Sequence, residues 1–449
     1  MTNEDTYLTL DLGLRVGELL LSSGAGAADV SIQMQNVALA CGLRGVSSSV
    51  TFTELQLTHQ ESPDQPTVLQ VRNVVQREID YEDLTLVDQL VRDLVAGRID
   101  RDGARAELAR IVSSGHTRSR RAATLGWGVM GVGVGLMLGA TPIVVVTAFI
   151  GAILIDVSTR ALARRRLPVF YQQVAGGLLA TVLAVLVSAT HLSHEPSRII
   201  SAGIILLLAG VSFMGAVQDA LTGFPLTSMA RLLEATLATA GAIAGVSGGL
   251  TLANAVGMEM PRVTPGSSIY SATPLMTVGG AVTAAAFAFA SYAPLRSLLP
   301  IALVGGLAST TFALGYLGGL GVAWPSALAA VLVGLISYAI AGRVRVPTLA
   351  IVVSGVVPLL PGLAIYRGLA ILSENSARGL IDLVNAAVIA IALGAGVILG
   401  EYIAQPLSRE ARRFEQRLSG PRLVGPLTAR SSRSRRHTGH SSERVSGRR

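Results

Sequence analysis

After residue 121 the chain becomes a series of apolar runs, each about as long as a bilayer is thick, and no other feature restricts its fold as much. The runs fall at roughly 122–140, 142–158, 171–191, 198–217, 232–256, 274–292, 298–317, 322–342, 348–365 and 380–404. Several exceed the roughly 20 residues that a helix needs to cross the hydrocarbon core. Only 14% of the chain is charged, where a soluble protein carries about 25%. Pro142, Pro168, Pro196, Pro274, Pro300, Pro325 and Pro347 mark turns between runs. The expected fold is a polytopic α-helical membrane protein with about ten transmembrane helices.

Residues 1–121 read differently. Leu12, Val16, Leu19 and Leu20 share one helical face, and Val30, Met34, Val37 and Cys41 repeat that spacing in a second helix. Gly24 and Gly26 separate the two, with Asp29 as a candidate cap. Val50 to Leu57 alternates as a half-buried strand, and Val68 to Val71 is its expected partner across Pro63-Asp64-Gln65-Pro66. Leu84 to Val95 and Ala104 to Val112 are two more amphipathic helices. This predicts a small soluble α+β domain over 1–121, without a catalytic signature. The membrane part is expected to divide into halves at 122–256 and 274–404, with residues 405–449 as a basic, disordered cytoplasmic tail.

The net charge of +8 is unevenly spread. Residues 1–121 carry 17 acids and 12 Arg, residues 122–404 carry 8 and 12, and residues 405–449 carry 3 and 12. With one aromatic, Phe414, the tail suits anionic headgroups of the lipid bilayer rather than nucleic acid. Placing Arg118, Arg120 and Arg121 in the cytoplasm also puts Arg160, Arg164, Arg165, Arg166, Arg231, Arg296, Arg343 and Arg345 inside. Only Arg198, Arg262, Arg367 and Arg378 are left outside. That is the usual cytoplasmic bias. It predicts both termini inside, an even number of spans, and loop 257–273 outside. Glu4, Asp5, Asp11 and Glu18 argue against a cleavable leader, and the single Cys41 excludes an intrachain disulfide.

Gly126, Gly128, Gly131, Gly133, Gly135 and Gly139 lie inside a run, where small residues let helices approach closely. A phosphate loop would instead need a preceding strand. His191-Leu192-Ser193-His194-Glu195 lacks the i, i+4 spacing of a zinc site, so neither a metal nor a cofactor is expected. Two stretches share one order of features. Gly210 to Gly215 is followed by Asp219 and then Arg231 and Glu234, while Gly355 to Gly362 is followed by Tyr366 and then Arg378 and Asp382. With five helices in each half, the second half would be an inverted copy, as in many secondary transporters.

Asp156, Asp219, Glu234, Asp382 and Glu401 lie in or beside runs, where a charge is expensive. Each has two readings: a proton carrier facing a cavity, or an interfacial charge paired on its own helix, as Arg231 with Glu234 and Arg378 with Asp382. Pro358-Leu359-Leu360-Pro361-Gly362 interrupts one run, and Gly223-Phe224-Pro225 follows another. Proline removes a donor and displaces a carbonyl. The freed groups either line a solute site or form a kink at headgroup level. Composition and spacing stop here, at a transporter of small solutes.

Three stretches carry a more specific likeness. Val16-Gly17-Glu18-Leu19-Leu20-Leu21-Ser22-Ser23-Gly24-Ala25-Gly26-Ala27-Ala28-Asp29-Val30 is the first. Gln218-Asp219-Ala220-Leu221-Thr222-Gly223 with Met229-Ala230-Arg231-Leu232-Leu233-Glu234 is the second, and Pro358 to Gly368 the third. Together they resemble the threonine/serine exporter family over nearly the whole chain. Met214-Gly215 stands where that family often has Pro-Gly. The resemblance implies a bacterial inner-membrane exporter of threonine and serine, driven by the proton motive force, with ten spans after a cytoplasmic domain.

On this reading the solute is expected beside Pro358, Pro361, Gly362, Tyr366 and Asp219. Asp219, Asp382, Glu234 and Asp156 are the candidate proton carriers, the first two leading. A transporter of another metabolite and a membrane-tethered hydrolase built on residues 1–121 are the competing readings. A second copy of the chain is a candidate partner.

Overall fold

The computed structural model describes residues 3–75, 78–190, 196–207, 209–255, 257, 273–371 and 376–407. The chain opens with α1 (Asn3–Ser22) and α2 (Ala27–Ala40), followed by strands β1 (Val46–Val50), β2 (Glu54–His59) and β3 (Val68–Asn73), then α3 (Tyr81–Val95) and α4 (Arg101–Ser114). The strands form one antiparallel sheet in the order β1-β2-β3. Only β2 buries alternate residues, Leu55 and Leu57 among them. They meet Leu12, Val16 and Leu20 of α1, Val30, Met34 and Val37 of α2, and Leu84, Val87 and Val91 of α3, all 4% exposed or less. Glycine permits the α1–α2 approach, since a Cβ at Gly17 would lie 2.5 Å from Met34 Sδ.

Two local expectations need correcting. The strand expected from Val50 is two strands joined by a tight turn, in which Thr51 N–H donates to Glu54 O at 2.9 Å and Thr51 Oγ1 accepts from Glu54 N–H at 3.1 Å. Val46-Ser47-Ser48-Ser49-Val50 is too polar to announce a strand. Its pairing with β2, Ser48 opposite Leu57, makes it one. Asp29 does not cap α2 either. The N-cap is Gly26, whose extended backbone offers no side chain, and the acceptor comes from far along the chain.

Ten apolar segments follow, each a helix or a helix pair where a run was read. They are α5 (Arg120–Met137), α6 (Pro142–Arg164), α7 (Val169–Ala189), α8 (Pro196–Leu206) with α9 (Ala209–Leu221), and α10 (Pro225–Ala255). The second set is α11 (Thr273–Ala290), α12 (Leu295–Leu317), α13 (Ala323–Val344), α14 (Thr348–Val356) with α15 (Gly362–Ile371), and α16 (Ser376–Leu407). A 3-10 turn, Val357–Leu359, ends α14. Among the described residues, six helices are long and apolar enough to cross a membrane, and a seventh span results if α8 and α9, bent by 45°, count as one. The His191–Glu195 motif, most of loop 257–273 and the tail from 408 lie outside the described residues.

The packing repeats. In the first set α5 packs on α6, α6 on α7, α7 on α10 and α9 on α10, while α8 touches α5, α6 and α7. In the second set α11 packs on α12, α12 on α13, α13 on α16 and α15 on α16, while α14 touches α11, α12 and α13. Each fourth segment is broken. The sets join through α5 with α11, α9 with α16, and α10 with α15. The glycines of α5 serve both neighbours: Gly131 lies against Ala148 and Ala152 of α6, and Gly133 against Thr283 and Gly279 of α11.

Candidate functional site

The first feature is the clamp that supplies the missing cap of α2. Asp219, near the end of α9, is 1% exposed. Its Oδ1 accepts the Ala27 backbone N–H at 3.0 Å, although 192 residues separate them. The first amides of a helix have no intrahelical acceptor, and their dipoles favour an anion. Asp219 Oδ2 lies 3.2 Å from Arg231 Nε of α10, and Arg231 Nη2 donates to Ala25 O at 3.0 Å. One acid and one arginine thus grip both sides of the α1–α2 turn. Arg231 turns to Asp219 and not, as the one-turn spacing suggests, to Glu234. Its guanidinium passes over Gly215, where a Cβ would lie 2.6 Å from Nη1. The glycine of Met214-Gly215 therefore has a steric reason, with no proline needed beside it. Nearby, buried Thr227 donates to Val50 O at 3.3 Å.

Beside the clamp lies a small cavity of about 40 Å³. Ser23, Gly24 and Gly26 close it from the α1–α2 turn, Tyr81 from α3, Gln218 and Arg231 from α9 and α10, and Leu360 from the second break. The two broken segments cross here. A Cβ on Gly210, at the start of α9, would lie 2.8 Å from Leu360 Cβ and 3.4 Å from Gly362 N. α15 begins at Gly362, so two half-helix N-termini, rich in unshared N–H groups, approach one another. A Cβ on Gly362 would meet nothing within 4 Å.

Tyr81, at the start of α3, packs against α11 and α14. It is 1% exposed and meets the Phe287 ring edge-on at 6.1 Å, while its N–H donates to Ser291 O at 2.8 Å. Burial raises the pKa of its phenol, offset in part by the facing Ser354 hydroxyl of α14. Asp80, just before it, caps α3 through the Glu82 and Asp83 amides, both at 3.0 Å. Burial nevertheless pushes its carboxyl up to about 6, against the pull of those amides and of His116. His116 Nε2 lies 3.3 Å from Asp80 Oδ2, and its ring stacks on Tyr292 at 4.0 Å. These contacts were invisible in sequence, because His116 and Tyr292 belong to no motif.

The remaining expected residues scatter. Pro358 and Pro361 flank the break that meets Gly210, and Tyr366 falls in α15, its side chain outside the described part. Asp382 lies in α16 beside Leu383, which packs on Gly368. Gly394 of α16 lies against Val217 and Gln218 of α9. Twelve residues of helix, roughly 18 Å, separate it from Asp382. Asp156 pairs with Arg160 on its own helix. Glu234 is half-buried on α10, and Glu401 is 8% exposed.

Two family models match most of the chain. The family model described as "Putative threonine/serine exporter" matches residues 11–253, and one described as "Threonine/Serine exporter, ThrE" matches residues 276–403. The chain is 34% identical over 460 residues to the "Probable threonine/serine exporter" of Mycobacterium tuberculosis (strain ATCC 25618 / H37Rv), covering 98% of this chain and 86% of that one. It is 34% identical over 410 residues to the "Threonine/serine exporter" of Corynebacterium glutamicum, covering 90% and 84%. No solved structure matches. The residues that line the cavity, from the α1–α2 turn through Gln218 and Arg231 to Leu360, all fall within the matched regions, and the chain belongs to the threonine/serine exporter family.

Proposed function

We propose that the chain is a proton-driven secondary transporter that exports threonine and serine past the two crossed helix breaks, with residues 1–121 as a cytoplasmic gate. The observation that carries this reading is the Asp219–Arg231 clamp, which ties the α1–α2 turn over a cavity bounded by a broken segment from each half. Ten crossings, five per half with the second set inverted, account for the repeated packing pattern. Both termini then lie on the cytoplasmic side of a bacterial inner membrane.

The cavity of about 40 Å³ has room for a water or two, far below the roughly 300 Å³ at which ligand pockets begin. On this reading the conformation is closed, and a solute enters when the gate lifts. Protonating Asp219 removes the anionic partner of Arg231 and weakens the acceptor held by Ala27 N–H, so one proton loosens both halves of the clamp. A zwitterionic amino acid would place its carboxylate against the N–H groups at Gly362 and its ammonium toward freed carbonyls of the break. The Tyr366 hydroxyl is the proposed partner for the hydroxyl of threonine or serine. The hydrolase reading gains nothing from His116, whose contacts are Asp80, Glu82 and the Tyr292 ring.

The test is uptake of labelled amino acids into inside-out vesicles, with and without an imposed pH gradient. Threonine and serine should accumulate faster with the gradient. Uptake of neither, or gradient-independent uptake of both, would reject the substrate or the coupling respectively.

A further inference from the structure

The ends of α5 and α6 nearest the first domain enclose an open groove of about 490 Å³, away from the gate. Arg120 and Arg121 enter from α5, and Arg160 and Arg164 from α6. Four guanidinium groups around one groove repel each other unless anions offset them, so their partners decide what it can bind. Arg120 is engaged by Glu78 and by the Tyr292 hydroxyl, at 2.6 and 3.0 Å. Arg160 is engaged by Asp156 and donates to Thr124 Oγ1 at 2.6 Å, which ties the two helices together. Among the described residues, no ion pair engages the exposed Arg121 or Arg164. The groove keeps two uncompensated positive charges on a framework braced by the other two.

Its far rim is apolar. Leu125 and Val157 line the groove and are 54% and 50% exposed. Beyond them an exposed stripe continues down the helices at helical spacing, Val129 on α5 and Leu154, Ile150 and Val146 on α6. Two guanidinium groups above an apolar track match a phosphodiester joined to acyl chains. A free phosphate would use the arginines and leave the track idle. A zwitterionic lipid would bring its own cation into the groove.

The geometry points to a binding site for an anionic phospholipid of the inner leaflet: Arg121 and Arg164 hold the phosphate, and the acyl chains lie along Leu125, Val157 and the stripe beyond. Basic grooves between spans recognise lipid headgroups by this means, and a planar guanidinium suits a phosphate better than a point charge does.

The test uses the full chain, purified in detergent and titrated with phosphatidylglycerol, cardiolipin, phosphatidylcholine or inorganic phosphate, with bound lipid counted by native mass spectrometry. Wild type should retain the anionic lipids at least tenfold more tightly than phosphatidylcholine. Arg121→Gln/Arg164→Gln should lose most of that preference, Arg121→Lys/Arg164→Lys should recover part of it, and Arg110→Gln, on the exposed face of α4, should behave as wild type. Equal retention of phosphatidylcholine, an unchanged preference in the double Gln variant, or displacement of lipid by millimolar phosphate would each overturn the assignment.

Discussion

Replacing Asp219 by Asn tests whether the clamp is the gate, because it deletes the charge and keeps the shape. The Asn carboxamide still offers Ala27 N–H an oxygen, so the cap of α2 can persist. Arg231 loses its anion, and its side chain is only 12% exposed, with Ala25 O as the remaining acceptor at 3.0 Å. Removing one member of a buried pair costs about 3–5 kcal/mol, because the survivor is left buried and uncompensated. With the cap retained, the lower end applies, about 3 kcal/mol or about 150-fold in the docking equilibrium. Amide hydrogen exchange over Ser23–Ala28 should accelerate by that factor, while the core of α3 stays protected. In vesicles the variant should lose pH-gradient-driven transport yet keep solute exchange. Arg231→Gln combined with Asp219→Asn should be milder than Asp219→Asn alone, since no buried charge then remains. Unchanged exchange at the turn, together with wild-type pH dependence of transport, would refute the clamp as gate and as proton carrier.

Other outcomes follow from the same geometry. Gly215→Ala sets a methyl 2.6 Å from Arg231 Nη1, so it should speed exchange at the same turn, whereas Gly248→Ala, which meets nothing within 4 Å, should not. Tyr366→Phe should weaken threonine more than valine, by the roughly 1–3 kcal/mol of one buried hydrogen bond, and Gly362→Val should impair both; equal losses in competition assays for Tyr366→Phe would confine the tyrosine to anchoring. The carboxyl of Asp80 is pushed up to about 6 from 3.8, so the folded state binds its proton more tightly than the unfolded chain. Its contribution to stability is present below about pH 4 and lost as pH rises through about 6. Thermal unfolding of the purified protein should show that loss, and Asp80→Asn should flatten it.

Hydrophobic run length located the apolar helices, six of which are long and apolar enough to cross a membrane among the described residues, because a helix satisfies its own backbone and needs only about 20 apolar residues to be recognisable. The amphipathic faces of α1 and α2 were legible for the same reason: Leu12, Val16, Val30 and Met34 repeat at the helical period and are all buried. The motif stretches carried the family, and Pro358 to Gly362 marked the break between α14 and α15, whereas the break between α8 and α9 lies upstream of Gly223-Phe224-Pro225 and was not legible.

What was not legible depends on partners distant in sequence. The polar Val46–Val50 is a strand only because β2 lies beside it. Asp29 was the local candidate for a cap, and the acceptor is Asp219. Arg231 had an acid one turn away and pairs across helices instead, through a gap that Gly215 leaves open. Local spacing reports what a residue can reach along its own helix. Whether two residues 192 positions apart share a hydrogen bond is settled by packing, where burial makes an unmatched charge or amide too costly to leave. That choice was made by the tertiary structure.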